Sequence, residues 1–202
     1  MALSVVTPPT TLAVPLADAK TYLRVDGTNE DSLIAGLIQA ATDHVERVTR
    51  RTMIYTTYRL KLDSFPDGPI ELPRSPAVDI TAGATYAYDM PSIDYFDQVG
   101  DEISLEKEVD YELDLTENPP CLQLPAMTYW PLTQAGKAKA VTVDFVAGYG
   151  PTAATVPALL KQGILLLVGH WYENREAVGS VGSEMALAVD SILKIYRTGD
   201  YQ

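Results

Sequence analysis

From Pro157 the chain reads PALLKQGILLLVGHWYENRE, and before His170 only Lys161 and Gln162 are clearly polar. A helix that is apolar almost all the way round has to be covered on more than one side, so this segment is the central helix of a core and other elements must surround it. Pro157 suits the first turn of such a helix. Gly163 and Gly169 each cost about 1 kcal/mol against Ala in a helix, a penalty usually offset by close approach of a neighbouring backbone.

The elements that surround it are legible upstream and downstream. Leu16 to Leu23 follows Pro15 and reads as a short helix stopping near Asp26-Gly27. A longer helix follows, with Asn29 as its cap and Leu33, Ile34, Leu37, Ile38, Ala41, Val45 and Val48 recurring at helical spacing. Arg47, Arg50 and Arg51 gather at its C-terminal end, where cations complement the dipole. After the loop-like AVGSVGSEM, the segment LAVDSILKIY predicts a last helix over Leu187 to Tyr196.

Between the second and third helices the period changes. TTYRLKLDSF, YELDL and AVTVDFVAGYG alternate as strands do, and frequent prolines between them imply short strands joined by turns. The expected fold class is therefore α+β: a helical core from both termini with an antiparallel β subdomain inserted in the chain. The expected divisions are 1–55 and 148–202 for the helical parts and 56–147 for the β part.

Composition narrows the function classes. Cys121 is the single cysteine, which forbids an internal disulfide and a multi-cysteine zinc site. The opening residues lack Lys or Arg before a proline-broken apolar run, unlike a signal peptide. The longest apolar run falls far short of the ~20 residues of a membrane span, so no membrane partner is expected. The net charge is −12, and Asp89 to Glu117 holds eleven acids against one base, Lys107. Such a surface repels phosphates and does not grip nucleic acid. Asp94, Asp97, Asp101, Glu102, Glu106 and Glu108 are expected to form a solvated acidic face; the first four lie close in sequence but lack EF-hand spacing.

Catalytic patterns are weak. His170 and His44 lack companion ligands at one-turn spacing, and neither has a nucleophile beside it. An enzyme using His170 with Glu173 is the poorest reading. Gly148 to Ala153 fits G-x-G-x-x-A spacing but precedes a helix that starts only at Pro157, which reads as a turn and not a nucleotide cradle. GSVGS lacks nucleophile-elbow spacing, and Cys121 reads as a packed small hydrophobe. No cofactor and no metal is expected.

Three stretches carry a family likeness: PLADAKTYLRVD running on to EDSLIAGLIQAATDHVERVTRR, then PALLKQGILLLVGHWYENREAV, then LAVDSILKIYR. In that order they resemble the head-tail connector (adaptor) proteins of long-tailed bacteriophages and of phage-like gene transfer agents. The resemblance implies a homo-oligomeric ring, twelve-fold, bound under the portal protein, with a next tail-proximal connector or stopper protein below and DNA passing through the channel without specific binding. It also implies assembly in the host cytoplasm, a final place in the virion, and no enzymatic activity. By analogy, Trp171, Tyr172, Arg175, Leu193, Ile195, Tyr196, Arg197 and Tyr201 are candidates for portal or subunit contact. The long β middle departs from the nearly all-helical members of the family. A rival reading makes that middle a ligand- or glycan-binding module using Tyr86, Tyr88, Tyr95 and Phe96 as exposed aromatics.

Overall fold

The structure is a computed structural model. It describes residues 1–80, 89–174 and 183–198, with only the backbone for 183–188. In chain order the elements are β1 (Ala2–Thr7), α1 (Leu16–Leu23), α2 (Asp31–Thr49), β2 (Thr56–Leu62), β3 (Ile70–Glu71), β4 (Ala77–Val78), β5 (Ser92–Phe96), β6 (Glu102–Leu105), β7 (Glu112–Asp114), β8 (Cys121–Gln123), β9 (Val141–Ala147), α3 (Ala158–Glu173) and α4 (Ser183–Tyr196). Every strand pair is antiparallel, and all strands from β2 to β9 fall between α2 and α3 in the chain, as the α+β expectation requires. The chain divides into two units, Met1–Pro8 with Tyr55–Gly148 and Pro9–Ile54 with Tyr149–Gln202. The first eight residues, grouped by the sequence with the helices, thus go with the strands: β1 pairs with β2 from Ala2↔Lys61 to Thr7↔Thr57.

The helical unit is built round α3. Its Leu160, Ile164 and Val168 are fully buried among Ile34, Ile38, Ala41 and Val45 of α2, Ala19 of α1 and Leu193 of α4. The two glycines of α3 admit side chains rather than backbone. A Cβ on Gly169 would lie 3.0 Å from Cε1 of Tyr22, and one on Gly163 would lie 3.5 Å from Cγ2 of Ile192. Glu30, not Asn29, precedes the first turn of α2, and it makes no side-chain cap. Its carboxylate instead accepts the hydroxyl of Tyr172 from α3, so the residue spends its charge on a tertiary contact. α1 and α2 both stop at an arginine in left-handed conformation, Arg24 and Arg50, each with φ of 56°. That position usually falls to glycine, which explains why sequence signals placed the ends only loosely. α4 starts at Ser183, four residues before the expected Leu187.

The strand unit holds a sheet of order β1-β2-β9-β5-β6, with β4 also on β9, and a small sheet of order β3-β8-β7. β2 pairs along all of β9 on one side, while β4 and β5 share the other side. Alternation then sets two faces. Tyr58 and Leu60 of β2, Ile93 and Tyr95 of β5, and Val141, Val143, Phe145 and Ala147 of β9 pack into one core with Leu122 and Tyr111. On the opposite face Arg59 lies directly across from Asp144, and its guanidinium grips that carboxylate with two bonds of 2.7 Å. Asp144 is 2% exposed, so the pair neutralises a charge that the sheet buries.

Candidate interaction surfaces

The residues expected to contact partners at the chain's C-terminal end sort into three groups. Trp171, Tyr172 and Tyr196 are half-buried against the helical core, Trp171 edge-on to His44 at 6.4 Å between ring centroids. Leu193 is itself core, 2% exposed, and holds α4 onto its neighbours; its side chain has no free surface to offer a partner. Ile195 is 71% exposed and Arg197 is exposed, so these two present side chains outward. Arg175 and Tyr201 lie outside the described residues.

What holds this end in place was not apparent from the sequence. Arg51, which follows the C-terminal turn of α2, donates its Nε–H to the Tyr196 carbonyl at 2.5 Å. Another of its N–H groups reaches the Tyr149 hydroxyl at 3.1 Å, and the guanidinium lies 5.8 Å from the Tyr196 ring centroid. The Thr198 N–H adds a bond of 2.9 Å to the Thr49 carbonyl. Burial pushes the Tyr149 hydroxyl up from its usual pKa, and the Arg51 charge opposes that rise. The arginine cluster at the end of α2 was the available signal. It reads as a dipole complement, whereas one member is a clamp.

The acidic face is a hairpin and its flanks. Asp94 on β5 accepts the Ser104 hydroxyl of β6 at 2.5 Å. Asp97 turns back on its own loop: Oδ1 accepts the N–H groups of Val99, Gly100 and Asp101 at 2.9, 2.8 and 2.9 Å. Those backbone bonds, chiefly at Asp101, hold its carboxyl below the ordinary pKa. Asp101, Glu102, Glu106 and Glu108 are exposed. Lys107, the one base of the tract, pairs with Asp79. A groove of about 720 Å³ beside the hairpin is lined by Arg59, Asp94, Ser104, Lys107, Tyr111 and Asp144 among others. Both of its cations are engaged in ion pairs. Tyr111 is buried and donates to the Pro91 carbonyl at 2.6 Å; burial, then the charge of Asp94, raises its pKa above the usual value.

The remaining candidates take structural places. His170 faces Asn174, whose amide lies 3.2 Å from Nδ1. Gly150 packs where a Cβ would fall 2.3 Å from the Thr155 hydroxyl, so the glycine serves a tight turn. Cys121 is 5% exposed on β8, and burial pushes its thiol pKa up. Of the aromatics invoked for ligand binding, Tyr95 is core, Phe96 is half-buried beneath the Lys137 ammonium, and Tyr86 and Tyr88 lie outside the described residues.

Comparison with known proteins follows the same lines as the geometry. The family described as Phage gp6-like head-tail connector protein matches residues 14–120, which takes in α1, α2 and β2 to β7. The match stops short of α3, so the HWYENREAV stretch that carried much of the resemblance lies beyond it. No curated protein matches the chain. Among solved structures, a chain in the virion of a native gene transfer agent particle shares 24% identity at a TM-score of 0.78, over 100% of this chain and 98% of that one. Chains from the neck of the empty particle computed with C6 symmetry and of the native particle computed with C12 symmetry share 22% and 23%, each at 0.77 and with the same coverage. The strand unit is therefore part of a shared fold and not a departure from it. With more than half of its length inside the family match, the chain belongs to the phage gp6-like head-tail connector proteins.

Proposed function

We propose that this connector works as a ring of identical copies, twelve-fold, at the head-tail junction of a phage-like particle. The ring sits under the portal protein, meets the next tail-proximal component on its far side, and leaves a channel through which DNA passes. It is assembled in the host cytoplasm and ends in the virion. The role is structural, with no catalytic step. The observation that carries this reading is the whole-length likeness in fold to chains of a gene transfer agent neck, computed there with C6 and C12 symmetry, together with the family match. The acidic hairpin supports the DNA part, because exposed carboxylates give a sliding phosphate backbone nothing to bind. The exposure of Ile195 and Arg197 at the end of α4 supports a part for these two side chains in meeting the portal. Among the described residues no helix is long and apolar enough to cross a membrane.

The test is electron microscopy and native mass spectrometry of the chain, alone and mixed with the portal protein of the same particle. Rings, free or only on the portal, are expected; a monomer indifferent to the portal overturns the reading. A truncation from Leu193 would be uninformative because it removes a core side chain. Ile195→Glu is the better probe: the fold is retained and portal attachment is lost.

A further inference from the structure

β1 and β6 are the two ends of one sheet, and they are opposites. β1 reads ALSVVT, without a charge or a proline, and Val5 and Val6 are 54% and 46% exposed. An open, uncharged, apolar edge strand is a template for another strand, and proteins that leave such an edge unused normally blunt it. β6 is flanked by charge: Asp101 and Glu102 at its start, Glu106 and Glu108 after its end. Its Ile103 nevertheless stands 37% exposed.

Direction and facing fit one edge to the other. Four antiparallel pairings separate β1 from β6, so the two strands run the same way. Leu3 and Val5 stand opposite Leu60 and Tyr58, on the face that packs into the core. Ile103 and Leu105 stand opposite Tyr95 and Ile93, on that same face. Ala2 and Ser4 lie on the other face opposite Lys61 and Arg59; Glu102 and Ser104 lie there too, opposite Phe96 and Asp94.

We propose that β1 of one copy adds to the open edge of β6 in the next copy, running parallel to it, so that the sheet continues from subunit to subunit. Val5 then covers Ile103 on the apolar face, and Glu102 comes onto the same polar face as Lys61 of the neighbour. The contact joins two different patches, so it repeats head to tail and closes only as a ring. Pairing β1 with β1 would stop at two copies and leave Ile103 bare, and pairing β6 with β6 would bring its acids together. The inference rests on the ring reading above and names the surface that makes the ring.

The test uses the full chain in a Cys121→Ser background, assembled with the portal. Ser4→Cys with Glu102→Cys lie across from each other on the polar face when Val5 covers Ile103, and Ser4→Cys with Ser104→Cys covers the register shifted by two residues. Mild oxidation of a double variant is expected to give a ladder of covalent multimers, while each single variant stays monomeric on a denaturing gel. Val5→Lys is expected to abolish rings without loss of secondary structure. Dimers from Ser4→Cys alone, or rings in the microscope with no ladder from either pair, overturn the edge pairing and leave the ring standing. Absence of rings in the unaltered chain with portal overturns the ring reading and this inference with it.

Discussion

The helical unit and the strand unit solve burial in different ways. Around α3 the core is mainly aliphatic, with Ile34, Ile38, Leu160 and Ile164 wholly buried and, among the described residues, no charged side chain buried with them. The strand unit also buries a carboxylate, Asp144, and needs Arg59 opposite it. An aliphatic core loses stability in proportion to what is cut from it, whereas a buried charge fails abruptly once its partner goes.

The contrast can be broken from either side. Ile164→Ala should have the largest effect, about 4 kcal/mol, because a fully buried β-branched side chain leaves a cavity between helices. Urea unfolding followed by circular dichroism measures it, and a loss under 1 kcal/mol would mean that the helices collapse freely onto the gap. Arg59→Ala should cost about 3 kcal/mol by leaving Asp144 without its two-toothed partner. Replacing both members, Arg59→Met with Asp144→Leu, should recover most of that loss. If the double variant is as unstable as the single one, the pair is doing more than neutralising a buried charge.

The two units also differ in how much the sequence disclosed. α1, α2 and α3 announce themselves because a helix buries residues three and four apart, and that period is written locally in Leu33, Ile34, Leu37 and Ile38. β2 and β9 show by alternation, TTYRLKL and VTVDFVA. β3, β4 and β8 have two or three residues each, too few for any period to show, and their existence depends on partners distant in the chain. β1 was grouped with the helices because its partner, β2, begins some fifty residues later. The candidate contact residues fared likewise: Ile195 is exposed, but Leu193, two positions away, faces the core, a distinction that the apolar character of both hides. Arg51 was visible only as one of three arginines, since the carbonyl it holds belongs to Tyr196.

That clamp sharpens the comparison at smaller amplitude. Arg51→Ala removes a charged hydrogen bond to the Tyr196 carbonyl and another to Tyr149, a loss of about 2 kcal/mol. Hydrogen exchange should quicken along α4, Asp190 to Tyr196, and stay unchanged in β2 and β9. Exchange that quickens equally in the strands would make Arg51 a support of the whole chain and erase the distinction between the units.

The smallest expected effect separates the units by pH. The strand unit raises the pKa of two buried tyrosines, Tyr95 and Tyr111, and the helical unit that of the half-buried Tyr149; Tyr149 and Tyr111 make the pair that differs in the sign of the neighbouring charge. A raised pKa in the fold means that the neutral hydroxyl contributes stability below the unfolded value of about 10, and that this is lost as pH climbs through the folded value. Burial drives both shifts, but the neighbouring charges act in opposite senses: Arg51 draws Tyr149 down, while Asp94 and Asp89 push Tyr111 further up. Tyr149 should therefore ionise first. Alkaline titration followed by ultraviolet absorbance in a Tyr95→Phe background, repeated with Tyr149→Phe and with Tyr111→Phe, assigns the two steps. The lower of the two late steps should vanish with Tyr149→Phe; if it vanishes with Tyr111→Phe instead, the acids round Tyr111 are too well solvated to matter and burial alone sets the order.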